Sequence, residues 1–242
     1  MTKDEFRSEC MRIFALNRLP CSAEQAEQLY ELTQRMLEVN QSMNLTAITD
    51  HKAVILRHYA DSVTIAEHIP LHASLIDVGC GAGFPSLPLA IFRPDLVITS
   101  LDGTAKRIAY VAQTAQELGL SHLTAIAGRA EEYGLNPNYR QRFDVVTARA
   151  VANLSILGEL CLPFAKVGGQ MIAMKSKQAQ DELSAATHCI QICGGGSPTL
   201  LSRQLTADSV DFEDRSLIFI PKIKETPKNY PRHFSKISKK PL

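Results

Sequence analysis

Apolar residues change their spacing once along the chain, near residue 73. Upstream, Leu29, Leu32, Met36, Val39 and Met43 recur at alternating steps of three and four, which stacks them on one helical face. Ser22-Ala23-Glu24-Gln25 ahead of them has the form of a capping box, so a helix is predicted over 22–41. A second helix is predicted from Asp50 to about His68, because Ile55, Tyr59, Val63, Ala66 and Ile69 keep helical spacing. Residues 1–70 therefore form a helical lead-in that packs on the remainder of the chain.

Downstream, short apolar runs end in Gly or Asp and alternate with helical stretches, the pattern of parallel strands joined by crossover helices. Strands are predicted at Leu75–Val78, Val97–Leu101, Leu123–Ile126, Phe143–Thr147 and Gln170–Met174, with helices at 86–92, 104–118, 153–165 and 177–192. Gly194-Gly195-Gly196-Ser197-Pro198 predicts a turn. Thr199–Leu205 and Leu217–Ile220 beyond it are expected to pair as a closing antiparallel hairpin. The division is thus 1–70, an α/β domain over 71–221, and a tail over 222–242.

Composition excludes some classes. The chain has 242 residues and a net charge of +1, which rules out a wholly basic nucleic-acid binder. No apolar run approaches a membrane span, and Met1 to Met11 is charged where a signal peptide is apolar, so a cytoplasmic protein is expected. The six cysteines lack paired C-x-x-C spacing, so reduced thiols are expected and neither a zinc module nor any other metal site. The tail is different: from Lys222 to Leu242 seven cations face one anion, Glu225, a local charge of +6. With three prolines it is expected to stay extended, either solubilising the chain or touching nucleic-acid phosphates.

The chemistry concentrates at Asp77-Val78-Gly79-Cys80-Gly81-Ala82-Gly83-Phe84-Pro85, where the first strand meets the first crossover helix. Open α/β sheets bind ligands there. Asp102 ends the next strand, where a carboxylate accepts hydrogen bonds from both hydroxyls of a ribose. A nucleoside cofactor is implied. The spacing G-x-G-x-G departs from the dinucleotide pattern G-x-G-x-x-G. Asp77 beside the loop opposes a pyrophosphate and suits a cationic amino-acid end, so S-adenosylmethionine is favoured over NAD. An NAD-dependent oxidoreductase stays open as an alternative, as does a catalytically silent RNA-binding or assembly protein.

Asn44-Leu45-Thr46-Ala47-Ile48, Arg57-His58-Tyr59-Ala60-Asp61-Ser62, the Asp77–Pro85 loop, Leu101-Asp102 with Lys106-Arg107, Gly128-Arg129-Ala130-Glu131-Glu132 and Ala148-Arg149-Ala150-Val151-Ala152 stand in this order. Together they resemble the glucose-inhibited division protein B family, also called ribosomal RNA small subunit methyltransferase G, over about residues 25–175. The resemblance implies a Rossmann-like α/β methyltransferase fold with a mostly parallel, seven-stranded sheet. It implies methylation of N7 of a guanine in small-subunit (16S) ribosomal RNA by S-adenosylmethionine, with that RNA or its particle as partner; a monomer is expected because nothing in the sequence suggests an obligate dimer. Carried over by motif, cofactor-binding positions are Asp77, Gly79, Gly81, Phe84, Asp102, Gly103, Thr104, Ala130, Glu131 and Arg149, with the adenine near Ala130-Glu131. The chain departs from the family's usual pattern at Cys80, Ser86, Ser176 and His233 to Ser238.

His58, Asp61 and Ser62 share one helical face at i, i+3 and i+4, and are candidates for a lid. Guanine N7 presents a lone pair without a proton, so no catalytic acid or base is assigned. Lys106 and Arg107 oppose a helix dipole in its first turn, which leaves phosphate contact or simple solvation as their role. With Lys175, Lys228 and Arg232 they make the candidate RNA-binding set. Arg57, Arg129, Arg140, Arg142 and Lys177 join that surface if they converge at the sheet's ligand edge.

Overall fold

The computed structural model describes residues 1–175, 179–208 and 210–242, the side chains of residues 210–213 excepted. The lead-in begins with α1 (Lys3–Leu16), which was not among the expected helices. Its signal was present: Thr2 and Glu5 form a reciprocal capping box, and Phe6, Cys10, Ile13 and Phe14 come after it at helical spacing and are buried. The next helix, α2 (Ala23–Met43), starts at its expected Ser22 cap and ends where Asn44 turns left-handed, at φ 50°.

The single helix expected from Asp50 to His68 is instead α3 (His51–Val54), a π-helical turn (Ile55–Ala60) and α4 (Asp61–Val63), with a separate 3₁₀ turn at Ala66–His68. Widening by one residue per turn re-aims the side chains inside it. His58 consequently points at the first crossover loop, while Ser62 is fully buried and donates to the His58 carbonyl at 2.5 Å. The residues considered for a lid are buried in a wall of the crevice.

The sheet comprises β1 (Ser74–Val78), β2 (Val97–Asp102), β3 (Leu123–Ala127), β4 (Phe143–Arg149), β5 (Ala165–Lys175), β6 (Thr199–Ala207) and β7 (Val210–Pro221) in the order β3-β2-β1-β4-β5-β7-β6. β1 to β5 are parallel, and β7 runs antiparallel between β5 and β6. The expected hairpin is therefore inserted with its second strand inside the sheet, which buries Leu217, Ile218 and Ile220. Crossovers are made by α5 (Ser86–Phe92), α6 (Ala105–Glu117), the one-turn α7 (Ala130–Tyr133) and α8 (Leu154–Cys161), while α9 (Ala179–Ile192) leads to the hairpin. The helix expected over 153–165 stops at Cys161, because Pro163 turns the chain into a 3₁₀ segment. Residues 177 and 178 of the helix expected over 177–192, and the Ser176 and Lys177 positions, lie outside the described residues.

Alternation along β1 sends Leu75 to one face and Ile76 to the other. Leu75 belongs to the buried cluster that contains Phe6, Phe14, Leu29 and Tyr59 of the lead-in, and Ile76 to the one that contains Val146, Leu157 and Ile190. The tail is not extended as expected. It docks on the second face, ends in α10 (Phe234–Lys239) and buries Ile237 completely. Lys222, expected to be a solvated cation, is 1% exposed and donates to the carbonyls of Leu162 and Cys193, each at 2.8 Å, and to Thr226. Three fixed acceptors offset the cost of removing its charge from water.

Candidate cofactor and acceptor site

The strand order reverses between β1 and β4, which opens a crevice at the carboxyl ends of the strands. Its floor is the loop from Gly79 to Pro85, which passes through Gly81 at φ +57° and Gly83 at φ +85°. A methyl group on Gly83 would press into Leu87 at 2.4 Å, whereas one on Gly81 would meet nothing within 4 Å. Gly83 is thus packed from below, and Gly81 faces open space.

Asp102, at the end of β2, ties this loop to the next one: its carboxylate accepts from Gly81 N at 3.0 Å and from Thr104 N at 2.8 Å. Gly103 and Thr104 are exposed on the rim. Asp77 is wholly buried beneath the loop and accepts from Ser86 N at 3.1 Å. It does not line the crevice, contrary to the placement expected beside a cationic cofactor end. Its Oδ1 has no partner among the described residues, and burial pushes its carboxyl up to about 7. Because Asp77 already holds the Ser86 amide at the start of α5, that amide does not serve a pyrophosphate.

Adjoining cavities run along this edge. One of about 470 Å³ is lined by Thr46, His58, Gly79, Gly81, Phe84, Asp102, Arg107 and Arg149 among others. A second, of about 260 Å³, shares Gly79, Asp102 and Val151 with it and adds Gly103, Thr104, Ala130, Glu131 and Phe234. A third, of about 380 Å³, shares His58, Arg149 and Ala150 with the first and continues to Arg57, Asp61, Met174, Lys175, Glu182 and Arg215. Val151 stands between the first two, its Cγ2 only 2.7 Å from where a Cβ on Gly79 would lie.

The junction of the first and third cavities is closely packed and hydrogen-bonded. The His58 ring stacks on Phe84 with centroids 4.5 Å apart, and Thr46 Oγ1 bonds its Nε2 at 2.9 Å. Asn40 clamps Thr46 through both its backbone N–H and its carbonyl. Burial, and then the nearby Arg149 charge, pull the His58 pKa down to about 3, so its imidazole is neutral in ordinary buffers. Arg149 donates to Asp61 at 2.9 Å and to the Arg57 carbonyl at 3.0 Å, and its guanidinium lies 5.3 Å from the Phe84 centroid. Arg215 donates to the other Asp61 oxygen at 3.0 Å. Asp61 is 3% exposed and so is neutralised from both sides.

The basic candidates divide. Lys106 and Lys228 are exposed, and Arg107 is half-buried on the cavity wall beside Asp102. Lys175 lines the third cavity but is held by Glu182 at 2.6 Å and by the Ala152 carbonyl at 2.5 Å. Arg232, placed by sequence in the RNA-facing set, instead forks onto Glu159, a carboxylate with no exposed surface, at 2.8 and 2.6 Å. Arg140 is likewise spent inside the fold, on the carbonyls of Gly134, Thr226, Pro227 and Tyr230. Arg142 is exposed, away from the three cavities, and Arg129 sits at the mouth of the second. Sequence reading did not single out Arg215 or Phe234 as site residues. Nothing local distinguishes either from a surface residue of a strand or tail, since only the returning chain brings them to the crevice.

Comparison with known proteins agrees with this architecture. The family model described as rRNA small subunit methyltransferase G (GidB) matches residues 25–205. A ribosomal RNA small subunit methyltransferase G from Lactobacillus johnsonii is 44% identical over 90% of this chain and 92% of its own. The protein of that name from Brevibacillus brevis is 39% identical over the full length of both. Among solved structures, precorrin-6y C5,15-methyltransferase from Geobacter metallireducens superposes with a TM-score of 0.52 at 14% identity, covering 75% of this chain and 92% of its own, a likeness of fold alone. With a family model spanning three quarters of its length and relatives aligned nearly end to end, the chain belongs to the rRNA small subunit methyltransferase G family.

Proposed function

We propose that this protein transfers the methyl group of S-adenosylmethionine to N7 of a guanine in small-subunit (16S) ribosomal RNA. The observation that carries the reading is that the three cavities share lining residues: the family's motif residues line adjoining hollows along one sheet edge, and Arg149 and His58 line both the first cavity and the third. The residues fit the cofactor. Gly81 leaves space that any side chain would fill, Asp102 ends β2 as a ribose-binding acid, and Glu131, 5% exposed, lies beside Ala130 in the second cavity. Together the first two cavities fall within the ordinary range for a small-molecule site, about 300–1,000 Å³.

When bound, S-adenosylmethionine supplies an electrophilic methyl group on a cationic sulfur. Guanine N7 needs no deprotonation, so the chain's task is alignment, which is worth up to about 7–11 kcal/mol in well-oriented reactions. Phe84, braced by His58, and Arg149, braced by Asp61, form the wall between donor and acceptor chambers. A neutral His58 adds no charge to a step that leaves the guanine ring cationic, while the Asp61 and Glu182 carboxylates of the third cavity are already paired with Arg149, Arg215 and Lys175. Lys106, Arg107 and Lys228 are the basic residues that support an RNA-facing role, with Lys175 contributing from the acceptor chamber. The enzyme works in the cytoplasm as a monomer in this reading.

The test is transfer of labelled methyl groups to unmodified small subunits and to their naked RNA, with the product nucleoside identified by mass spectrometry. The expected product is 7-methylguanosine. A chain that binds S-adenosylmethionine and transfers nothing to either substrate would overturn the acceptor; one that binds no cofactor would overturn the whole reading.

A further inference from the structure

The segment after β7 folds back beneath the crevice and contributes a side chain to it. Its course is pinned at successive points: Lys222 in its carbonyl cage, Arg140 on the carbonyls of Thr226, Pro227 and Tyr230, and Arg232 forked onto Glu159 of α8. Beyond these, Ile237 is fully buried in the cluster that holds Leu157 and Leu160. Between the last two anchors lies Phe234, half-buried on the wall of the second cavity together with Gly103, Ala130, Glu131 and Leu160. The Arg129 guanidinium covers its ring at 5.0 Å.

We infer that Phe234 is a wall of the adenine subsite, and that this chain's affinity for its methyl donor therefore depends on a docked C-terminal segment. The inference rests on the S-adenosylmethionine reading proposed for the crevice. The cavity is lined by Asp102, the ribose-binding acid of this reading, and by the buried Glu131, an acceptor for an exocyclic amine. A purine placed there needs an apolar face, and Phe234 is the aromatic ring on that wall among the described residues. Its ring cannot be positioned locally: α10 has six residues, far short of the roughly 12–15 at which an isolated helix begins to hold. The Glu159–Arg232 pair and Ile237 hold it instead, so cofactor affinity and tail docking are one equilibrium.

The experiment is calorimetric titration of S-adenosylhomocysteine into the full-length protein and its variants, with melting temperature followed alongside. Truncating an aromatic on which a base stacks weakens binding about 5- to 150-fold, so Phe234→Ala is expected to raise Kd at least about 5-fold while melting within about 2 K of wild type. Phe234→Trp is expected to restore binding, and Phe234→Leu to restore less, because it keeps the packing but not the flat face. Ile237→Asp, which undocks the segment, is expected to match Phe234→Ala. In turnover the defect lies in the KM for S-adenosylmethionine, with kcat at saturation kept. Wild-type affinity in a folded Phe234→Ala protein overturns the inference and leaves the proposed function standing. Failure of the wild-type protein itself to bind S-adenosylhomocysteine overturns both.

Discussion

Gly81 and Gly83 lie two residues apart in one loop, both left-handed, yet an alanine at each should fail for different reasons. An L-residue in that conformation costs about 1–2 kcal/mol. At Gly81 that is the whole structural penalty, since the added methyl group meets nothing within 4 Å. At Gly83 the methyl group must also displace Leu87 from 2.4 Å and crowd Val111 at 3.3 Å, and overpacking of that kind adds about 1–3 kcal/mol. The unfolding entropy of a 242-residue chain converts about 0.5 kcal/mol into one kelvin of melting temperature. Gly81→Ala should therefore melt about 2–4 K below wild type and Gly83→Ala about 4–10 K below. Ligand binding should reverse the order. The Gly81 methyl group projects into the cavity assigned to the cofactor, so Gly81→Ala should lose S-adenosylhomocysteine affinity by more than about tenfold, while Gly83→Ala, whose methyl group points into the core, should lose less. Scanning calorimetry and isothermal titration on the two variants settle the matter. Wild-type affinity in Gly81→Ala would show that the open space above Gly81 is not where the cofactor lies.

Removing one member of a buried ion pair leaves the other charge stranded, at a cost of about 3–5 kcal/mol, so Arg232→Ala should melt about 6–10 K low, with little dependence on salt; a shift below about 2 K would mean that Glu159 finds water when the tail lifts. The raised Asp77 carboxyl stays protonated in the folded chain while the unfolded chain ionises. Folding stability from this group is thus lost as pH rises from about 4 towards 7, by an amount on the order of 4 kcal/mol. Asp77→Asn should accordingly gain on wild type as pH rises through that window and hold a level advantage above about pH 7; a constant difference in unfolding free energy across the window would refute the burial of its charge. Lys106→Ala and Lys228→Ala should each weaken RNA binding and flatten its logarithmic salt slope by about 0.7–0.9, measured by filter binding across salt concentrations; an unchanged slope would remove that lysine from the interface.

Legibility tracked the range of the interactions involved. The lead-in helix α2 was readable because its cap and its apolar stripe lie within one segment. The places of the glycine loop after β1 and of Asp102 at the end of β2 were readable because strand ends and glycine turns are set by patterns short in sequence. The π turn at Ile55–Ala60 was not, since its apolar spacing fits a regular helix equally well. Asp77 was read as facing the ligand from its adjacency to the glycines, but strand alternation and the Ser86 amide turn it inward. The tail misled through composition: its cations suggest solvation, yet the fold supplies Glu159 to Arg232 and three acceptors to Lys222.

Local pattern alone indicated the alternation of strands and crossover helices, the parallel character of the sheet and the glycine loop after β1, because hydrophobic periodicity, caps and glycine turns act within a few residues. Tertiary structure decided which charges remain available and which are consumed. That choice depends on partners 73 and 154 residues away, Glu159 for Arg232 and Arg215 for Asp61, whose pairing is enforced by desolvation only after the chain has closed around them.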